Sequence, residues 1–153
     1  MQMNGMAELI TVKHYWEQWA DPRLVVCVLH NNDLNQVTWE MRAMEGSPKF
    51  EESQRLPDVD YAGFAQSLGL QAIRVTEPGQ LEDAWRQAFA ADRPTVIDAH
   101  VDPDVPPVPP HATWTEMKAT ARSLLKGDED RWGVVTEGVK TKVAEVMPGG
   151  GSD

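Results

Sequence analysis

The chain has 153 residues, 41% hydrophobic and 25% charged, with a formal net charge of −10, which is enough for one domain with a core of its own. The acidic balance argues against nucleic acid and anionic lipid as partners, because phosphates need a basic face and the 14 lysines and arginines do not cluster. The one cysteine, Cys27, permits no internal disulfide and suits a reducing, cytoplasmic setting; no signal-peptide pattern is read at the N-terminus, and no apolar run approaches the ~20 residues of a membrane span.

Residues 5–19, GMAELITVKHYWEQW, carry Met6, Leu9, Ile10, Val12 and Trp16 at helical spacing, with Asn4 placed to cap the start. After the break at ADPR, residues 24–30 form an apolar run without polar interruption, which predicts a central parallel strand buried on both faces. LNQVTWEMRAM has neither glycine nor proline and predicts a short helix. EGSPKFEESQRLPD predicts a polar loop, with Glu51, Glu52 and Arg55 in solvent. Asp58 is the expected cap of a helix that places Tyr61, Phe64, Ala65 and Leu68 on one face and ends at Gly69. QAIRVT predicts a second strand. EPGQLEDAWRQAFAA predicts a helix with Leu81, Ala84, Trp85, Ala88 and Phe89 inward and Pro78 in its first turn. TVIDAHV predicts a third strand.

Strands alternating with helices point to an α/β fold with a parallel sheet and helices on both faces. This domain is expected over 1–104. DPDVPPVPPH has five prolines in ten residues, so 105–111 is expected to be a stiff linker. A helical tail over 112–147 follows, then a disordered end over 148–153. In the tail, Trp132, Val135, Val139, Val143 and Val146 predict an apolar stripe that packs on the domain or a partner subunit. The five acids and three bases of 128–147 oppose an anionic membrane. Three strands make a thin sheet to cover Trp16, Trp39, Trp85, Trp114 and Trp132, as if the chain were part of something larger.

The apolar strand ends in His30, Asn31, Asn32 and Asp33. In open parallel sheets, ligands bind beyond the carboxyl ends of the strands. An asparagine offers a hard, uncharged carbonyl oxygen suited to Mg²⁺. The same pair also suits an Asx-type turn from strand to helix, and local chemistry leaves both readings open. A calcium loop fails, since Gln36 stands where it needs glycine and Arg42 where it needs glutamate. His14, His30, His100 and His111 lack the short spacing of a zinc site, and of the four only His30, next to the asparagines, is a candidate for function. No GxSxG, Walker loop or GxGxxG occurs.

QMNGMAELIT, followed by an apolar strand ending in NN, resembles the thiamine diphosphate signature. In that signature a Gly-Asp-Gly triplet, a helix and a strand precede Asn-Asn. The triplet itself is absent here. With NNDLNQVTWEMRAMEG, DVDYAGFAQSLGLQAIRV, LEDAWRQAF, RPTVIDAHV and VPPVPPH, the chain is similar to the C-terminal region of the pyruvate oxidase, pyruvate:quinone dehydrogenase and acetolactate synthase family. The resemblance implies the C-terminal part of a thiamine diphosphate- and Mg²⁺-dependent enzyme that decarboxylates a 2-oxo acid such as pyruvate. It implies Mg²⁺ ligands at the Asn32 side chain and the Leu34 carbonyl, with Asn31 as the turn residue. Asn32, Asp33, Leu34 and Asn35 would lie at the cofactor diphosphate. Gln36 and Glu40, four apart on one helix face, would line the substrate cavity, with Val37 and Trp39 as the alternatives if the shorter segment slips by one. A homo-oligomeric parent is implied, and FAD is possible in an upstream region. With no Gly-Asp-Gly carboxylate, the fragment alone is expected to be inactive. Two alternatives remain: a carboligase like acetolactate synthase, and a non-catalytic module that completes a site with another chain.

Overall fold

The computed structural model describes residues 5–105, 114–128 and 132–136. The chain divides into two compact units, Met1–Asn31 with Pro57–Val101, and Asn32–Leu56 with Asp102–Asp153.

The first unit is built on a three-stranded parallel sheet of β1 (Val25–His30), β2 (Gln71–Val75) and β3 (Thr95–His100), in the order β1-β3-β2. The expected α/β fold with a parallel sheet is present. The central position belongs to β3, buried from Thr95 through Ala99, and not to β1 as its apolar run had suggested. β1 lies at an edge among the described strands, and its Leu29 is 70% exposed. Cys27 is half-buried, and burial pushes its thiol pKa up, as suits a small apolar side chain.

Strand alternation distributes two cores. Val28 and Val96 on one face pack with Leu9 of α1 (Glu8–Tyr15), with Tyr61 and Ala65 of a later helix, Tyr61–Ser67, and with Leu70. Cys27, Ile73, Val75, Ile97 and Ala99 on the other face meet Ala84, Trp85 and Ala88 of the helix Leu81–Ala90. Helices therefore cover both faces. The periodicity reading errs at three positions, since Ile10, Leu81 and Phe89 are 55%, 41% and 57% exposed. Each lies at the margin of a helical stripe whose centre is filled by smaller or better-placed neighbours. Ala7 holds the N-cap position of α1 without a side-chain bond, and the expected cap Asn4 lies outside the described residues.

The cap of Tyr61–Ser67 is Asp60, not Asp58. Its carboxylate accepts the Gly63 N–H at 2.7 Å and pairs with the Arg74 guanidinium. The helix closes at Gly69, φ +76°, where Gly69 N–H bonds the Gln66 carbonyl and Leu70 N–H bonds that of Ala65. The Gly63 N–H and then Arg74 hold the Asp60 pKa below the usual carboxylate range. A depressed folded pKa contributes stability above the unfolded value, about 3.9, and that contribution is lost as pH falls through the folded pKa. Asp60→Asn keeps a capping oxygen and removes the charge. Its thermal midpoint should fall below wild type at neutral pH, and the gap should close below about pH 4. A gap that stays constant over that range would remove the charge from the account.

The second unit contains α2 (Asn35–Glu40), a π-helical turn Met41–Glu45, α3 (Glu51–Gln54) and a helix Trp114–Leu125. Counting along the chain, Tyr61–Ser67 is α4, Leu81–Ala90 is α5 and Trp114–Leu125 is α6. The π turn ends at Gly46, φ +61°, where an added Cβ would meet the Ala119 carbonyl of α6 at 3.1 Å. The expected solvated loop after it is more ordered than its composition suggests. Gln54 is buried, and Glu51 is 20% exposed and meets both Lys49 and Arg55. Arg42 and Asp128 form a buried bidentate pair at 2.8 and 2.7 Å, and the Arg42 guanidinium lies 5.0 Å from the Trp39 ring.

Residues 132–136 are helical, but their inward residue is Val134, while Trp132 and Val135 of the expected stripe are 73% and 45% exposed. Val139, Val143 and Val146, most of the expected linker and the expected disordered end lie outside the described residues. Among the described residues, no helix is long and apolar enough to cross a membrane.

Candidate functional site

The turn after β1 begins with Asn32, the only described non-glycine residue with positive φ, at 54°. The resemblance had made Asn31 the turn residue, and the left-handed position falls on Asn32. Asparagine tolerates this region better than other side chains with a Cβ. The backbone around it is fixed within the second unit. The Asn32 carbonyl accepts the Leu56 N–H at 2.7 Å, Leu34 N–H donates to the Gln54 carbonyl at 2.8 Å, and Asp33 bridges Arg55 antiparallel. Asn32 itself is exposed.

The other expected site residues fall into two groups. Asp33 and Asn35 turn into the unit. The Asp33 carboxylate accepts the Thr38 hydroxyl at 2.7 Å and meets Lys49 Nζ at 2.7 Å, both buried. Asn35 Nδ2 donates to the Pro103 carbonyl at 2.6 Å, and Trp39 Nε1 donates to the same oxygen at 3.4 Å. These side chains shape the turn. Gln36 and Glu40 share the exposed face of α2, with Gln36 Nε2 donating to Glu40 Oε1 at 3.3 Å. Of the two alternatives, Trp39 is buried and Val37 is 44% exposed.

Asn32 Oδ1 and the Leu34 carbonyl are neutral, hard oxygens two residues apart. The Leu34 carbonyl accepts the Thr38 N–H at 3.0 Å, and the Thr38 hydroxyl stands 3.4 Å from the same oxygen but has a closer acceptor in Asp33 at 2.7 Å, so a metal ion would take the second lone pair in place of that longer contact. This donor set fits Mg²⁺ when a diphosphate supplies charged oxygens, because Mg²⁺ is usually held by few protein groups and its substrate phosphates. Lys49, buried against Asp33, was missed by sequence reading, because nothing local in SPKF marks a lysine as interior.

A second polar group lies in the first unit, at the carboxyl ends of β1 and β3. Parallel register sets His30 beside His100, with ring centroids 4.4 Å apart. Asp98, two residues before His100 and therefore on the same face, is fully buried. His30 Nδ1 lies 2.8 Å from Asp98 Oδ1, and His30 Nε2 lies 3.1 Å from Asp58 Oδ1. The Tyr61 ring meets His30 edge-on at 4.9 Å. Burial, then the Asp98 and Asp58 charges, push the Tyr61 pKa up. The histidines, far apart in sequence, are thus brought together. The available signal was Asp98, a lone acid inside an apolar strand.

The structure is a parallel α/β domain of the class in which ligands bind beyond the carboxyl ends of the strands, where this pinned polar turn lies. The family described as "Thiamine pyrophosphate enzyme, C-terminal TPP binding domain" matches residues 1–99, and the chain belongs to it. A Bacillus subtilis protein named YdaP, described as thiamine pyrophosphate-containing, is 31% identical over 103 residues, covering 67% of this chain and 17% of its own length. An acetolactate synthase of the same organism is 33% identical over 70 residues, covering 44% of this chain and 12% of its own. A Methanocaldococcus jannaschii protein described as an acetolactate synthase large subunit is 25% identical over 112 residues, covering 72% of this chain and 18% of its own. The chain therefore spans less than a fifth of the length of these relatives.

Proposed function

We propose that this domain holds the Mg²⁺-diphosphate end of thiamine diphosphate in an enzyme that decarboxylates a 2-oxo acid of the pyruvate type. The observation that carries the proposal is the left-handed turn at Asn32, whose exposed amide and neighbouring Leu34 carbonyl suit a cation already bound to phosphate. When bound, the cofactor supplies a ring that takes up the electron pair left as carbon dioxide departs. The chain's own part is binding and orientation. Asn32 and Leu34 hold the metal, and Asp33 and Asn35 hold the turn in shape through Thr38, Lys49 and Pro103.

Gln36 and Glu40 face the substrate. The Gln36 amide donates to a substrate carboxylate or carbonyl, and Glu40 fixes that amide's orientation. Glu40→Gln should therefore change turnover or substrate preference by tenfold or more, about 1.4 kcal/mol, and leave cofactor affinity within twofold. Steady-state decarboxylation alongside calorimetric titration of thiamine diphosphate with Mg²⁺, both in a form of the protein that binds the cofactor and turns over, checks both. Equal loss in both assays would move Glu40 out of the substrate cavity.

The relatives described as acetolactate synthases favour a second reading, in which the decarboxylated fragment is joined to a second 2-oxo acid. Product analysis with pyruvate separates the two: one-substrate products support simple decarboxylation or oxidation, and acetolactate supports carboligation.

A further inference from the structure

We propose that His30, Asp98 and His100 form a site for a borderline divalent transition metal such as Zn²⁺ or Co²⁺, separate from the Mg²⁺-diphosphate turn. One donor atom from each residue lies within 4.8 Å of the other two, and no other such group occurs among the described residues.

The fold makes this placement firm. Residue pairs in register on adjacent parallel strands share a face, so His30↔His100 puts two imidazoles side by side, and Asp98 lies one pleat below. Two neutral nitrogens and one carboxylate oxygen are the ligand set of many three-ligand zinc sites, which keep a fourth position for water. Such a set prefers Zn²⁺ or Co²⁺ over Mg²⁺, which takes oxygens.

Two observations go beyond proximity. Asp98 is completely buried, and its Oδ2 has no hydrogen-bond partner; Arg74 Nε stands 3.7 Å away, past hydrogen-bonding distance. A buried carboxylate oxygen in that state is costly, and a cation held on the same carboxylate through Oδ1 offsets that cost by neutralising the shared charge. Asp58 Oδ1 lies 3.1 Å from His30 Nε2. With the metal on Nδ1, the Nε2–H donates to Asp58, the carboxylate contact that usually orients a metal-bound histidine. The ion takes the place of the proton between Nδ1 and Asp98 Oδ1, now 2.8 Å apart. At metal–ligand distances of ~2.0–2.1 Å, a tetrahedral edge is about 3.4 Å, so the two groups open by a few tenths of an ångström. His100 is exposed and gives the ion a path from solvent.

The test uses the full chain without a histidine tag, in the absence of thiamine diphosphate. Co²⁺ is titrated and followed by ligand-field absorption, then displaced by Zn²⁺. One tight equivalent with tetrahedral-type bands is expected. His100→Gln, on an exposed position that the fold does not depend on, should weaken Co²⁺ at least tenfold. Asp98→Asn should do the same with the far-UV spectrum checked for folding. His14→Gln, on an exposed helical residue, and Asn32→Ala should leave Co²⁺ binding unchanged, and a large excess of Mg²⁺ should not compete. No bound Co²⁺, or binding by His100→Gln equal to wild type, overturns the proposal. Loss of Co²⁺ binding in the Asn32 variant does so as well, because the ion would then belong to the diphosphate turn. The proposal does not rest on the cofactor reading, and its failure leaves that reading intact.

Discussion

Asn32→Ala is expected to weaken thiamine diphosphate and Mg²⁺ binding by tenfold or more. It is also expected to cost about 1 kcal/mol of stability, and the two effects have different causes. The first is loss of a direct metal oxygen, which an alanine methyl cannot replace. The second comes from φ 54° at a position whose carbonyl is tied to Leu56, so the backbone cannot relax to a conformation alanine prefers. Asn32→Gly separates them. Glycine adopts the left-handed region without steric cost, so stability should return while cofactor affinity stays low. Asn31→Ala, without that backbone demand, should have the milder effect on both. The measurements are calorimetric titration of cofactor with Mg²⁺ in a form of the protein that binds it, and thermal melts without ligand. Restored affinity in Asn32→Gly would mean that the turn, and not the amide oxygen, is what the cofactor needs.

Arg42→Ala is expected to have the largest effect on stability, about 3–5 kcal/mol, because it leaves a buried carboxylate without its charge partner. The Arg42 and Asp128 side chains are 1% and 0% exposed, and two hydrogen bonds join them. The Lys49 N–H, 3.1 Å from Asp128 Oδ2, would remain as one neutral donor. Replacing both partners by apolar residues, Arg42→Met with Asp128→Leu, should recover much of the loss, because the price of a buried pair is mostly desolvation. Urea denaturation of the three variants checks this. A loss below about 1 kcal/mol in Arg42→Ala would place the pair in contact with solvent.

Local pattern and long-range placement were not equally readable. The three strands, the inward face of α4 and the Ala84, Trp85 and Ala88 centre of α5 followed from apolar spacing, because burial of a strand or helix face is written at fixed short intervals. Cap choice was harder. Asp58 and Asp60 are chemically identical, and only the position of Gly63, three residues past Asp60, decides which one meets an open N–H. Lys49, Gln54 and Arg42 carry no local mark of burial, because their partners Asp33, Met41 and Asp128 come from other segments. The resemblance singled out Asn32, Gln36 and Glu40, since those lie close together in one segment, but it assigned the turn to Asn31, whereas the left-handed residue is Asn32. The His30 and His100 neighbours were hidden for a topological reason. Nothing between residues 30 and 100 says that β3, and not β2, sits beside β1.

That strand order carries a consequence for synthesis. β1 and β2 precede β3 in the chain, yet among the described strands neither hydrogen-bonds to the other, and each pairs with β3. Until residues 95–100 emerge, both strands hold open edges, and both apolar faces of the sheet lack their middle. The sheet therefore forms in one late step that closes two long loops at once, the slow, non-local kind of event that exposes strand edges to other chains. Over that interval, Val25–Leu29 presents an apolar strand edge of the kind that pairs with other chains.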